Sequence, residues 1–178
     1  NNGTIVGHAG LILRTTDGGT NWDAQESGST NALFGVCFTN LNIGNAVGDN
    51  GTIIRTTNAG ANWISQISGT TNHLREVSFI DENVGLVVGY NGAILRTING
   101  GYTWVTQGSG TSQTLRAISF LDSNIVITVG DLGTILKTTN RGINWINKSS
   151  GITQDLYDIS FTDATNGYAV GTGGIILK

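Results

Sequence analysis

The spacing of the four tryptophans is the feature that most constrains the fold of this chain. They stand 41 residues apart, since 63 − 22, 104 − 63 and 145 − 104 each equal 41. Glycines, phenylalanines and leucines recur at the same interval, and no insertion or deletion breaks the register. A period of roughly 20–50 residues indicates a repeat architecture, so we read the chain as copies of one unit. Each tryptophan closes a similar octet, at Thr15–Trp22, Thr56–Trp63, Thr97–Trp104 and Thr138–Trp145.

One repeat has the pattern of four short β-strands. In the unit from 72 to 112, Val77 and Phe79 show the period-two alternation that is typical of a strand. The segment Gly89–Gly92 contains an Asn-Gly pair, which supplies the positive φ angles that a tight hairpin needs. No apolar stretch follows a helical period. The predicted strands of this unit are Leu74–Ile80, Gly85–Val88, Ala93–Thr97 and Thr103–Gln107.

Four strands per repeat predict an all-β fold, a β-propeller of four-stranded antiparallel blades with about five blades represented. Adjacent apolar residues such as Ile53 and Ile54 fit a sheet that is covered on both faces. A β-solenoid is the competing repeat fold, but its coils are usually shorter and its turns are not hairpins. We expect one propeller domain or segment over 1–178, with units at approximately 1–30, 31–71, 72–112, 113–153 and 154–178.

The two ends of the array bear on the number of blades. Residues 165–178 repeat 1–14 instead of complementing them. Our preferred expectation is therefore a window of a longer array of about six to eight blades. A self-contained ring of five blades, two of them incomplete, is the alternative.

Composition narrows the classes of function. A net charge of −3 argues against binding nucleic acid or an anionic membrane through bulk charge. No apolar run approaches the roughly 20 residues that span a bilayer, so we expect no membrane insertion. The single cysteine, Cys37, excludes an internal disulfide and is read as a small buried filler. Two lone histidines, His8 and His73, do not make a metal site, so neither a metal nor a cofactor is expected.

The octet resembles the Asp-box, the bacterial neuraminidase repeat, whose pattern is Ser/Thr-x-Asp-x-Gly-x-Thr-Trp at the turn between the third and fourth strands of a blade. Only the first copy has the aspartate, Asp17, and the others carry asparagine. With the segment that precedes the octet, seen at Val47–Thr56 and Val88–Thr97, the unit is similar to the photosystem II assembly-factor type of repeat. Arrays in many secreted bacterial proteins are similar as well. Because propeller function depends on individual loops, the resemblance is specific for fold and weak for function.

We predict a structural role for the octet. A short acceptor side chain can bond the backbone N–H groups of its own turn, glycine permits positive φ, and the tryptophan packs beneath the turn. Asparagine does this almost as well as aspartate, so a metal or catalytic role is disfavoured. The structural residues are Asp17, Trp22, Asn58, Trp63, Asn99, Trp104, Asn140 and Trp145.

Positions that vary while their surroundings stay fixed are the candidate binding site. They fall at the tip of the hairpin between the second and third strands, and at the start of the first strand, which should share one face. Aromatic and arginine side chains around a channel mouth suit recognition of a protein or a glycan. The alternative is that solvated tips vary freely. The candidates are His8, Asp49, Tyr90, Asp131, Phe34, Arg75, Arg116 and Tyr157.

A basic ring recurs at 41 residues on the opposite face, near the Asp-box turns. Asp81, Asp122 and Asp163 recur there too, so the plain expectation is an inter-blade ionic ladder of modest strength. The functional alternative is a patch that binds an acidic partner segment, which the assembly-factor resemblance would support. The ring consists of Arg14, Arg55, Arg96, Lys137 and Lys178.

No catalytic residues are predicted, because the glutamates match no sialidase constellation and there is no nucleophile elbow. The first functional hypothesis is a non-catalytic binding or scaffold module, exported or at the cell surface, which recognises a protein or glycan through the hairpin tips. An assembly factor that holds a membrane-complex subunit through the basic ring, in the thylakoid lumen or periplasm, is the second. A structural segment of a surface filament, and a sialidase-like glycoside hydrolase, are weaker alternatives. Self-association or continuation in a longer chain is also expected.

Overall fold

The computed structural model describes residues 1–163 and 165–178, which form five antiparallel sheets. The first sheet contains β1 (Gly3–Val6), β2 (Ile12–Thr15) and β3 (Asp23–Gln25). The second contains β4 (Leu33–Phe38), β5 (Gly44–Gly48), β6 (Ile53–Thr56) and β7 (Ile64–Gln66). The third contains β8 (Leu74–Phe79), β9 (Gly85–Gly89), β10 (Ile94–Thr97) and β11 (Val105–Gln107). The fourth contains β12 (Leu115–Phe120), β13 (Val126–Gly130), β14 (Ile135–Thr138) and β15 (Ile146–Lys148), and the fifth contains β16 (Leu156–Phe161), β17 (Gly167–Gly171) and β18 (Ile176–Leu177).

Strands within a sheet pair in chain order, as in a propeller blade. The predicted all-β fold with about five blades is therefore confirmed. The fourth strand is shorter than predicted, Val105–Gln107 in place of Thr103–Gln107, because Thr103 and Trp104 belong to the Asp-box turn. No helix in the described ranges is long and apolar enough to cross a membrane.

The hairpin between the second and third strands of each blade is a one-turn 3₁₀ segment. Its middle residue has a positive φ, which is 54° at Asn50 and 55° at Asn91. Asparagine tolerates this left-handed conformation better than most residues, so the Asn-Gly pairs suit the turn. The five segments are His8–Gly10, Asp49–Gly51, Tyr90–Gly92, Asp131–Gly133 and Thr172–Gly174.

The hydrophobic core lies between consecutive blades. Ile53 of the second blade packs in one cluster with Leu95 and Trp104 of the third, and all three are buried. Ile12 of the first blade likewise packs with Ile54 of the second. An interior sheet is thus covered on both faces, which explains its runs of adjacent apolar residues.

Candidate functional site

A β-bulge at the start of each innermost strand positions four of the predicted site residues. The register between the first and second strands shifts at Phe34, Arg75, Arg116 and Tyr157, so each is the extra residue of a bulge. A bulge re-aims its side chain and increases the local twist. The innermost strand also contacts the hairpin turn of the preceding blade. The four side chains therefore meet the hairpin tips on one face of the molecule, which we call the tip face.

The first group on the tip face surrounds Arg75. Its guanidinium carbon Cζ lies 4.8 Å from the ring centroid of Phe34 and 6.0 Å from that of Tyr90, within the range of cation–π contacts. The Tyr90 ring meets the ring of His73 edge-on, with centroids 5.0 Å apart. Nδ1 of His73 lies 2.7 Å from Oδ1 of Asp49. We call these five residues the Arg75 cluster.

The second group surrounds Arg116 at the next pair of blades. The guanidinium carbon lies 4.8 Å from the ring centroid of Tyr157, and Nε donates to Oδ1 of Asp131. Nη2 lies 4.0 Å from Oδ2 of Asp155. The hydroxyl of Thr172 donates to the Tyr157 hydroxyl at 3.1 Å. We call these five residues the Arg116 cluster.

The two arginines differ in how their charge is compensated. Arg116 is held by two carboxylates, Asp131 and Asp155. Among the described residues Arg75 forms no ion pair, and its charge is met only by aromatic rings. The tip face therefore presents one cation that can still accept a carboxylate from outside.

Seven of the eight predicted tip-face residues fall in these two clusters, and His8 falls in neither. His8 is exposed at the first hairpin turn, on the outermost described blade of that end. A binding role for any of the eight remains a prediction.

Two members of the clusters were missed by sequence reasoning. His73 was read as a surface residue of a connecting turn, and Asp155 was not considered. Both precede an innermost strand, and their carbonyls accept hydrogen bonds from the N–H groups of Tyr90 and Thr172 at 2.9 Å. The signal was available, because this column varies as the hairpin tips do. It reads Ala32, His73, Thr114 and Asp155.

The basic ring on the opposite face is tied to the neighbouring blade through backbone carbonyls. Nε of Arg55 donates to the Gly100 carbonyl at 2.7 Å, and Nε of Arg96 donates to the Arg141 carbonyl at the same distance. The Arg55 guanidinium also stacks on Tyr102, with its carbon 3.8 Å from the ring centroid. Arg55 is buried. These two arginines hold one blade to the Asp-box turn of the next.

The prediction that the basic ring pairs with Asp81, Asp122 and Asp163 is wrong. No ion pair within residues 1–163 and 165–178 joins the two sets. Each carboxylate instead accepts backbone N–H groups of its own turn, as Oδ1 of Asp81 does from Asn83 and Val84 at 2.7 Å. These hydrogen bonds hold the pKa of Asp81 below its usual range. The turn thus uses the carboxylates locally, and the arginines reach a carbonyl.

Each Asp-box octet bonds to itself. In the third copy, Oδ1 of Asn99 accepts from the Thr103 N–H at 3.0 Å and from the Thr97 hydroxyl at 2.9 Å. The Thr97 hydroxyl oxygen in turn accepts from the Gly101 N–H, and the Trp104 indole donates to the Gly101 carbonyl. The same acceptor bonds occur at Asp17, Asn58 and Asn140.

The one charged acceptor among the octets is Asp17. Hydrogen bonds from the backbone of Asn21 and the hydroxyl of Thr15 lower the pKa of Asp17 to about 2. Its carboxylate is therefore committed to the turn. In the described part of the chain, no group of three or more His, Cys, Asp or Glu residues is arranged to hold a metal ion.

Comparison with known proteins bears on the type of repeat. Residues 64–148 match the family model described as photosynthesis system II assembly factor YCF48. Among curated proteins, none matches the chain by sequence.

Solved structures resemble the chain over almost its whole length. YCF48 from Cyanidioschyzon merolae superposes with a TM-score of 0.75 at 17% identity, covering 97% of this chain and 64% of that one. YCF48 bound to D1 peptide gives 0.77 at 20% identity, covering 98% and 58%. A GH74 enzyme from Niastella koreensis gives 0.78 at 14% identity, covering 96% and 31%. The chain thus spans less than two thirds of the length of either YCF48 structure.

The blade order, the self-bonded octets and these likenesses define a β-propeller built from Asp-box, or bacterial neuraminidase, repeats. Within that class, the repeats of this chain are most like those of the YCF48 type.

Proposed function

We propose that this propeller is a non-catalytic binding module that holds a partner polypeptide on the tip face. The observation that carries the proposal is Arg75, a cation stacked between Phe34 and Tyr90 that forms no ion pair within the described residues. Arg75 is the anchor, and a carboxylate of the partner is its counter-ion.

The Arg75 cluster has the chemistry of a peptide-binding anchor. Stacking on two rings immobilises the guanidinium plane and leaves its edge for a bidentate hydrogen bond to a carboxylate. Phe34 and Tyr90 are partly exposed, so they also offer apolar surface to a neighbouring side chain. Aromatic and arginine side chains are enriched among the residues that dominate binding energy at protein interfaces.

The comparisons support a protein partner. One of the two YCF48 structures holds a D1 peptide, and the matching family is named for an assembly factor. The likeness to GH74 enzymes at 14–19% identity reflects the shared fold and carries no catalytic residues to this chain. A function in assembly therefore has more support than glycan binding or hydrolysis. A location in the thylakoid lumen or periplasm goes with it, and nothing in the comparisons favours an extracellular one.

Binding of a D1 peptide to point variants tests the proposal. Fluorescence anisotropy with a labelled D1 peptide should show affinity falling at least about tenfold for Arg75→Ala, which corresponds to about 1.4 kcal/mol. Arg75→Lys keeps the charge and loses the planar stack, so it should fall between wild type and Arg75→Ala. The melting temperature of each variant checks that the fold is intact.

A matched control separates the tip face from the basic ring. Arg14 stacks on Phe38 with its guanidinium carbon 5.7 Å from the ring centroid, which gives it a similar environment at the other face. We expect Arg14→Ala to change the affinity less than about twofold, as for a residue outside the interface. Loss of binding in Arg14→Ala and Lys137→Ala with Arg75→Ala unaffected would move the site to the basic ring. A wild-type chain that does not bind the peptide would contradict the proposal.

A further inference from the structure

The first and last blades each leave one apolar face uncovered. On the last blade this face carries Tyr168, Val170 and Ile176, and on the first blade it carries Ile5, Leu13 and Trp22. We call them the last-blade face and the first-blade face. The 41-residue period allows each exposed residue to be compared with its equivalents in the interior of the same molecule.

The last-blade face is buried wherever a following blade is present. Ile176 is 66% exposed, whereas its repeat equivalents Ile12, Ile53 and Ile94 are at most 1% exposed. Val170 is 40% exposed, whereas Val47, Val88 and Val129 are fully buried. These positions therefore form the side of a blade that packs against the next one along the chain.

The first-blade face is buried wherever a preceding blade is present. Ile5 is 48% exposed, and its equivalents Ala46 and Val87 are fully buried. Trp22 is 40% exposed, and its equivalents Trp63 and Trp104 are 8% exposed. These positions form the side of a blade that packs against the previous one.

The two free faces are the two halves of one interface. Inside the molecule, Ile53 and Val47 pack against Leu95 and Trp104 of the following blade. In repeat positions, the residues at Ile53 and Val47 are those of Ile176 and Val170, and the residues at Leu95 and Trp104 are those of Leu13 and Trp22. The shape and chemistry that the last-blade face requires are therefore present on the first-blade face of another copy.

A polar contact should accompany the apolar one. Lys178 stands in the column of Arg55 and Arg96, whose Nε groups donate to carbonyls of the next Asp-box turn at Gly100 and Arg141. In a neighbouring copy the equivalent position of the first blade is Gly18. The Lys178 ammonium would therefore meet the Gly18 carbonyl.

We propose that the chain self-associates head to tail, with the last-blade face of one copy packed on the first-blade face of a second. Uncovered apolar surface of this kind marks an interaction site. Because the two faces differ, the contact is heterologous, and it continues into a ring or an open string of copies unless the ends are blocked. This inference concerns other surfaces than the tip face and does not depend on the proposed function.

The test uses one blocking substitution on each face of the 178-residue chain. Ile5→Glu blocks the first-blade face, and Ile176→Glu blocks the last-blade face. In light scattering after size exclusion, wild type should show a mass that rises with concentration above 18.6 kDa. Each blocked variant alone should stay at the monomer mass, since it lacks one half of the interface. An equimolar mixture of the two should give a heterodimer of twice that mass and nothing larger.

Ile64→Glu is the matched control. Ile64 is 66% exposed, the same as Ile176, but it lies on the outer strand β7 away from both end faces. This variant should associate as wild type does. A monomeric wild type would overturn the proposal and leave further blades of the same repeat as the cover of these faces. A mixture of blocked variants that stays monomeric, with melting temperatures unchanged, would overturn it as well.

Discussion

The middle residue of each hairpin turn shows what a single backbone position requires of its side chain. Five copies of this position exist, and they carry Ala9, Asn50, Asn91, Leu132 and Gly173, all with positive φ. The left-handed conformation costs an ordinary L-residue about 1–2 kcal/mol, and asparagine and glycine adopt it with least strain. The leucine is therefore the poorest fit. Its side chain is also mostly exposed, so it gains little from packing.

Exchanging residues between two copies tests this strain. We expect Leu132→Asn to raise the free energy of unfolding by about 1 kcal/mol, and Asn91→Leu to lower it by at least that amount. Asn91 also donates to Oδ1 of Asn72 at 2.9 Å, and the leucine would lose that bond. Urea denaturation measures both changes. Leu41→Asn, which removes an exposed leucine where φ is not positive, should have no effect; equal effects at 41 and 132 would contradict the explanation.

Sequence reasoning succeeded at the residue scale where the repeat itself carried the information. Columns spaced by 41 placed Asp49, Tyr90 and Arg75 on one face, because equivalent positions of a repeat share an environment. The columns could not show that Arg55 is buried against the Gly100 carbonyl, since a backbone carbonyl has no sequence signature. The ionic ladder failed for that reason.

Between elements, the close approach of innermost strands creates one buried carboxylate. Oε2 of Glu76 on β8 accepts a hydrogen bond from the backbone N–H of Ile118 on β12, in the next blade, at 2.6 Å. Burial raises the pKa of Glu76 from its usual 4.5 to about 7, the hydrogen bond from Ile118 opposes the rise, and the charge of Asp158 adds to it. The folded protein therefore holds a proton near neutral pH that the unfolded chain releases.

This carboxylate should make stability depend on pH. Because the folded pKa lies above the unfolded one, the stabilising effect of the proton is complete below about pH 4.5 and is lost as pH rises through about 7. Glu76→Gln can still accept from Ile118 and does not ionise. We expect it to match wild type at pH 4.5 and to be more stable by about 2 kcal/mol at pH 8. Urea denaturation at the two pH values measures this, and a difference that does not change with pH would contradict it.

At the element scale the strands and their order were predictable, and the bulges were not. Alternating apolar residues and Asn-Gly turns indicate strands such as β8 and β9 and the hairpin after β9. The bulge at Arg75 depends on backbone register between two strands, which no local pattern specifies. Yet that bulge brings Arg75 between Phe34 and Tyr90. The sequence therefore indicated the residues of the tip face and gave no sign of their stacking.

For the whole molecule, the two faces of the propeller have different tasks. At the Asp-box end, side chains bond to their own turns or to the next blade, as Asn99 and Arg96 do. At the hairpin-tip end, side chains from different blades meet one another on an exposed surface, as Phe34 and Arg75 do. Self-satisfied turns suit a scaffold. An uncompensated arginine among partly exposed rings suits a binding site.

Mapping a bound D1 peptide by NMR tests that division most directly. The double variant Ile5→Glu, Ile176→Glu keeps the chain at its 18.6 kDa monomer mass, and amide resonances are followed as the peptide is added. Our account predicts the largest shifts at the tip face, in Asp49–Gly51, His73–Glu76 and Tyr90–Gly92. Shifts concentrated at the Asp-box turns, around Gly60, Gly101 and Gly142, would contradict it.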